Sequence, residues 1–325
     1  MIQAAERTQV EAESKAEGVS RPSAFGVLAL ACVAVQAITG VMLAFVYRPT
    51  PDEAFVSTYY ITHVMSYGWL VRAVHSWGAD LTVIFAALHG VVTFITASYK
   101  RRPAEWVIGN LTILAAVAMG FTGNLLPWDQ EAYWNTTATL SLVSEAPIIG
   151  KPLASLLLGG PTVSEVTLTR FHALHVTVLP AVLASLLVAH LWMGSIRAKT
   201  ERGESVWSYA GRLLAGASVP LLLLASLLVV LVSFVPLALS VKADPSASIE
   251  AARPAWYFMS LYAVAQVVPA PVAAVVTGGL GVLFVALPLF DRTDSIEPSQ
   301  RAFPLALGTL VIAGVGLATV AGLIS

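Results

Sequence analysis

The sequence predicts an all-α polytopic membrane protein with seven transmembrane helices. Three observations carry that reading. Hydrophobic residues make up 57% of the chain and charged residues 11%, whereas a soluble domain carries about 25% charged residues. The apolar residues fall in runs long enough to cross a hydrocarbon layer of about 30 Å. Two of these runs each carry two histidines at nearly equal spacing.

The runs lie near residues 24–47, 73–98, 105–126, 171–195, 213–239, 268–290 and 303–324. Residues 1–21 are polar and lack the apolar core of a signal peptide, so they are predicted to form a cytoplasmic tail. With the amino terminus inside, the tail and the second–third, fourth–fifth and sixth–seventh connections share one side. That side holds 12 of the 18 Lys and Arg residues, dominated by Lys100-Arg101-Arg102 and by Arg197, Lys199, Arg202 and Arg212. This is the distribution the positive-inside rule expects, and it puts the carboxyl terminus outside. A net charge of −1 gives nucleic-acid binding no support, and a single cysteine excludes an internal disulfide.

The second span holds His75 and His89, 14 residues apart; the fourth holds His175 and His190, 15 apart. At about 1.5 Å and 100° per residue, each pair is separated by roughly 21–23 Å and lies within about 60° of one helix face. Both spans start outside, so His75 pairs with His175 at an outer level and His89 with His190 at an inner one. Each pair is predicted to clamp the iron of one haem b, since ionisable groups in membrane helices are costly and imidazole is a haem ligand. A packed core histidine is the bland alternative, and four at matched spacing weigh against it.

The first and third spans repeat the interval. Gly26 and Gly40 are 14 apart, as are Gly109 and Gly123. Glycine lets a planar group approach the backbone, so one glycine from each span is predicted beside each haem; ordinary small-residue helix packing is the other reading. Pro180, between the two histidines of the fourth span, is predicted to bend it. Arg72 and Arg170 precede the outer histidines and either pair with haem propionates or snorkel to the interface. Asp80 is either a proton-handling group or a solvated one near the outer surface.

The third–fourth connection, about 129–168, is broken by Pro147, Pro152, Gly159, Gly160 and Pro161. It reads as short helices on the outer surface. The fifth–sixth connection, about 240–267, carries Pro254-Ala255-Trp256-Tyr257. Together these loops are predicted to roof a small-molecule pocket near the outer haem.

At these residues the chain resembles the cytochrome b/b6 family of quinol-oxidising complexes. The resemblance rests on Val35-Gln36, Thr39-Gly40, Tyr47-Arg48-Pro49-Thr50, Gly68-Trp69-Leu70, Arg72 to His75, Leu126-Pro127-Trp128-Asp129-Gln130, Tyr133-Trp134, Thr169-Arg170-Phe171, Leu174-His175 and Leu179-Pro180. The 15-residue spacing and Ala243-Asp244-Pro245 through Tyr257 resemble cytochrome b6 and subunit IV. A fusion of the two is implied: a four-helix di-haem unit at 22–200 and a three-helix unit at 201–325.

The resemblance implies an electron-transfer subunit of a quinol:cytochrome c, or similar acceptor, oxidoreductase in a bacterial inner membrane. Quinol is oxidised outside in a site lined by Pro254, Trp256 and Tyr257, and quinone is reduced inside. Separate Rieske iron–sulfur and c-type cytochrome chains are implied, as is a homodimeric complex. Cys32, four residues before Gln36, is implied to hold a third haem by a thioether bond; by its own chemistry a buried cysteine is a small hydrophobe. Two positions depart from the pattern. Ala255 stands where the family has a glutamate, and Gln266 where it has an arginine. Ala255 motivates an alternative, a conduit that links a different redox partner to the quinone pool without splitting the two quinol electrons. A haem-free transporter or assembly subunit is the third reading.

Overall fold

The computed structural model describes residues 23–247 and 252–324. The tail predicted at 1–21 lies outside the described residues. Those described form helices and connecting loops, with one isolated bridge between Asp129 and Lys242.

Six helices are long and apolar enough to span a bilayer. They are α1 (Ala24–Ala44), α3 (Gly68–Ile95), α4 (Pro103–Asn124), α7 (Glu165–Arg202), α11 (Ala270–Phe290) and α12, whose apolar body is Ala302–Ile324. The pair α8 (Val206–Ala215) and α9 (Ser218–Phe234), bent by 50° at their junction, makes a seventh when counted as one span. The fifth span is predicted over 213–239. It breaks because Pro220 has no N–H to offer the Gly216 carbonyl, and it ends at Phe234, since Val235 precedes Pro236 and is pushed toward extended backbone.

The third–fourth connection forms α5 (Gln130–Ser144) and α6 (Gly150–Leu158), both too short to cross, as the proline and glycine breaks predict. Asp129 caps α5 by accepting from Ala132 N at 2.8 Å, and its second oxygen accepts from Ser240 N at 3.0 Å. Gln130 accepts from Asp244 N at 2.6 Å. The Trp128-Asp129-Gln130 stretch therefore pins the fifth–sixth connection against the third–fourth one. Beneath it, Phe121, Leu125, Trp128, Tyr133, Leu168 and Phe171 form a buried cluster. A short α2 (Ala54–His63) and α10 (Met259–Ala265) complete the helices.

Within the bundle α1 packs along α3, and α4 along α7. At the opposite end from the pinned loops, the Asp291 carboxylate accepts from Arg301 Nε at 2.8 Å and from Tyr99 Oη, with Lys100 Nζ at 2.8 Å. Arg301 also donates to the carbonyls of Phe94 and Ile95, at 3.0 and 2.9 Å. Both charged side chains of the Asp291–Arg301 pair are fully buried. The cluster fastens the last two spans to α3 and to the turn after it.

Candidate functional site: two levels of paired histidines

The four predicted ligands come together in two pairs. The ring centres of His75 and His175 are 6.2 Å apart with planes at 78°, and those of His89 and His190 are 6.3 Å apart at 85°. A metal–imidazole nitrogen bond of about 2 Å, with the ring centre roughly 1.1 Å behind the nitrogen, puts two axial imidazoles of one iron about 6.2 Å apart. The donor spacing thus fits one haem iron per pair. We call these the upper (His75, His175) and lower (His89, His190) levels.

Each predicted glycine lies at the level its spacing assigned, and each faces an imidazole. A Cβ on Gly40 would come within 3.1 Å of His75, and one on Gly123 within 2.6 Å of His175. At the lower level the values are 3.2 Å for Gly26 against His89 and 3.5 Å for Gly109 against His190. A Cβ is excluded at Gly123 and tight at Gly26 and Gly40 because the ligand ring itself lies on the neighbouring backbone. Gly123→Ala is therefore expected to displace His175 and lower the upper haem content, while Gly109→Ala, at ordinary contact distance, leaves both haems in place. Redox difference spectra of the two variants check this contrast.

The upper imidazoles are also oriented. His175 Nδ1 lies 2.9 Å from the Met119 carbonyl, which can only accept, so Nδ1 carries the proton and Nε2 keeps its lone pair. Thr39 Oγ1 donates to the Val35 carbonyl at 2.7 Å, so its bond of 2.8 Å with His75 Nδ1 must run from the ring to the hydroxyl. Nε2 of His75 is then the free donor as well. Thr122 Oγ1 stands 3.3 Å from His175 Nδ1. The sequence reading missed these partners, although a Thr-Gly pair recurs at 39–40 and 122–123. At the lower level His89 Nδ1 has no hydrogen-bond partner among the described residues.

The fourth span resolves the unequal histidine spacings. Residues Leu174–Val178 form a π turn, in which Leu179 N–H bonds to the Leu174 carbonyl five residues back. Pro180 has no N–H to hold the Val176 carbonyl in α register. The predicted effect of Pro180 was a bend; its local effect is this widened turn. One residue is absorbed there, so 15 residues in α7 do the work of 14 in α3. Such turns recur at functional sites, and this one contains His175.

Other predicted residues are placed as follows. Arg72 donates to the carbonyls of Leu237 at 3.3 Å and Ala238 at 3.2 Å, and Arg170 to that of Leu156. Cys32 is 1% exposed among Leu28, Leu81, Leu224 and Leu228. It lies six residues from Gly26 and eight from Gly40, hence between the two levels. A thioether-bound macrocycle there would have to part α1, α3 and α9, so the packing supports the plain apolar role and not the third haem. Pro254 is buried, Tyr257 Oη lies over Gly120, and Trp256 Nε1 donates to Asp80 Oδ1 at 2.7 Å. The Ala255 methyl brings no polar atom to this group. Gln266 caps the end of α10.

The family model described as "Cytochrome b/b6/petB" matches residues 11–197, over half of the chain, and "Cytochrome b(C-terminal)/b6/petD" matches residues 242–324. The chain belongs to the cytochrome b/b6 family. Among its relatives, cytochrome b6 of Synechocystis sp. is 38% identical over 169 residues, covering 52% of this chain and 76% of that protein. Cytochrome b6 of Picosynechococcus sp. gives the same identity and coverage. A solved structure described as "Hyperthermophilic respiratory Complex III" superposes with a TM-score of 0.74 at 26% identity, covering 93% of this chain and 87% of that one. This cytochrome b/b6 protein thus combines both family parts, amino-terminal and carboxyl-terminal, in one chain.

Proposed function

We propose that the chain is the di-haem, quinol-oxidising subunit of a complex III-like assembly. The observation that carries this is the pair of His–His levels, each at the separation one iron needs and each cradled by two glycines. His75 and His175 would hold one haem b, His89 and His190 the other; Arg72 and Arg170 would pair with the upper haem's propionates only by releasing the carbonyls of Leu237, Ala238 and Leu156. When bound, each haem supplies reversible one-electron chemistry. The two levels, roughly 21 Å apart along the helices, then connect the two membrane faces.

The protein's own groups set a direction. Hydrogen-bonded Nδ1–H groups make the upper imidazoles more basic ligands, which favours oxidised iron; His89 has no such support. With haems bound, this difference would favour electron passage from the upper to the lower level. The upper level is taken as outer, next to the roof of Pro254, Trp256 and Tyr257, and the lower level as the side of quinone reduction. The units at 22–200 and 201–325 are the haem-holding and roof-supplying parts. A Rieske-type iron–sulfur protein and a c-type cytochrome are the proposed partners, in a homodimeric complex in a bacterial inner membrane.

Ala255 is the observation that favours the alternative of a conduit without electron splitting. Pyridine haemochrome analysis of the purified chain tests the main reading. Two b-type haems and no thioether-linked haem per chain are expected. A chain that carries no haem would support a transporter or assembly subunit and end the proposal.

A further inference from the structure

A carboxylate far from either end of a membrane-spanning helix is expensive and by default functional. Asp80 is such a group. It lies 12 residues after Gly68 and 15 before Ile95 in α3, while Glu105, Glu165 and Glu201 lie near the ends of their spans. Bundle packing brings α3 under the roof of the upper level. Trp256 Nε1, a donor only, bonds to Asp80 Oδ1 at 2.7 Å. The neighbouring Tyr257 Oη lies over Gly120, where a Cβ would meet it at 3.1 Å. Gly120 follows Met119, whose carbonyl orients His175.

Ala255 cannot accept a proton, yet the same Pro-Ala-Trp-Tyr segment delivers its tryptophan to a carboxylate from another helix. We propose that Asp80 takes the proton-accepting role at the outer quinol site that Ala255 cannot fill, with Trp256 positioning its carboxylate. Glu250, the other candidate acceptor by its expected side of the membrane, lies outside the described residues. The proposal rests on the quinol-oxidising reading above.

Burial pushes the Tyr257 phenol above its ordinary range, and the nearby Asp80 charge adds to this. Tyr257 therefore stays a donor beside an acceptor. Trp256 occupies Oδ1 and leaves Oδ2 for a quinol hydroxyl. In the step proposed, one quinol O–H bond breaks and an O–H bond forms on Asp80, which becomes neutral. The second proton passes to water at the outer face. The two electrons leave singly, one to a b-haem iron and one to an iron–sulfur acceptor, and the product is the quinone.

The test uses the complex purified with its native subunits and two probes, decylubiquinol and a short-chain menaquinol. Asp80→Asn keeps an oxygen for Trp256 but cannot take the proton. Quinol oxidation is expected to fall by about 10²–10⁴, the worth of general-base assistance, with both haem spectra unchanged. In the infrared difference spectrum on quinol reduction, a protonated carboxylic acid band is expected in the wild type and lost in Asp80→Asn. Ala255→Glu in the Asp80→Asn background is expected to restore rate. An unchanged rate in Asp80→Asn, a persisting acid band, or a hundredfold gain from Ala255→Glu alone overturns the assignment. If the wild-type complex oxidises neither quinol, the functional reading itself fails and takes this inference with it.

Discussion

Replacing His190 with alanine is expected to leave the protein with one b-type haem instead of two. The lower iron would lose one of its two axial imidazoles, and the Cβ of alanine cannot reach the ring's place. Gly109 would then face a void, since nothing on its backbone refills it, while Gly26 keeps its contact with His89. The upper pair is held by different residues, namely Thr39, the Met119 carbonyl and Gly123, and should keep its spectrum. Electron delivery to the lower face should be abolished, so quinone reduction there falls to background while the upper haem is still reduced by quinol. His172→Ala is the control. That ring stacks on Tyr47 at 5.7 Å and belongs to neither pair. Both haems should survive it. Two unchanged b-haem signals in the His190→Ala protein would refute the pairing.

The second large effect concerns stability. Asp291→Ala is expected to destabilise the chain by about 3–5 kcal/mol, the usual result of removing one partner from a buried ion pair. Arg301 would be left buried with a charge and only the Phe94 and Ile95 carbonyls and Tyr99 to satisfy it. Removing both partners, as in Asp291→Ala with Arg301→Met, should cost less than the single change. Burial alone raises the Asp291 pKa, but hydrogen bonds from Lys100, Tyr99, Arg301 and Thr293 outweigh this and hold it well below the carboxylate range. A folded value below the unfolded one means the contribution is complete above about pH 4 and is lost as pH falls through the folded value. Melting of the detergent-solubilised protein, followed by tryptophan fluorescence between neutral pH and strong acid, checks both claims. A variant that melts with the wild type at neutral pH would show the cluster to be dispensable.

Much of this architecture was legible because membrane helices leave a periodic trace. Polar ligands in apolar helices must face the interior, so the four histidines and four glycines could be assigned to levels by counting along one axis. The partner of Asp80 was not legible. Trp256 is 176 residues away in the chain, and only the docking of the fifth–sixth connection brings it there. The Asp291–Arg301 cluster escaped notice because its members sit in short connections with no periodicity to mark them. For Cys32 two distances point different ways: its interval to Gln36 underlies the third-haem expectation, whereas the interval from Gly26 to Gly40 on the same helix places it between the levels. Pro180 was read for what it does to a helix axis, and its effect lay in hydrogen-bond register.

That register has a geometric consequence. A π turn takes up one extra residue without rewinding the helix beyond it. In α7 it falls at a ligand and just before a proline, where a missing N–H slackens the backbone ladder. Residues Leu179–Arg202 keep their orientation toward α4, and His190 keeps its place opposite His89. Two intervals that differ by one residue thus present their ligands to matching partners; what the fold fixes is the direction in which each imidazole points, not the number of residues between them.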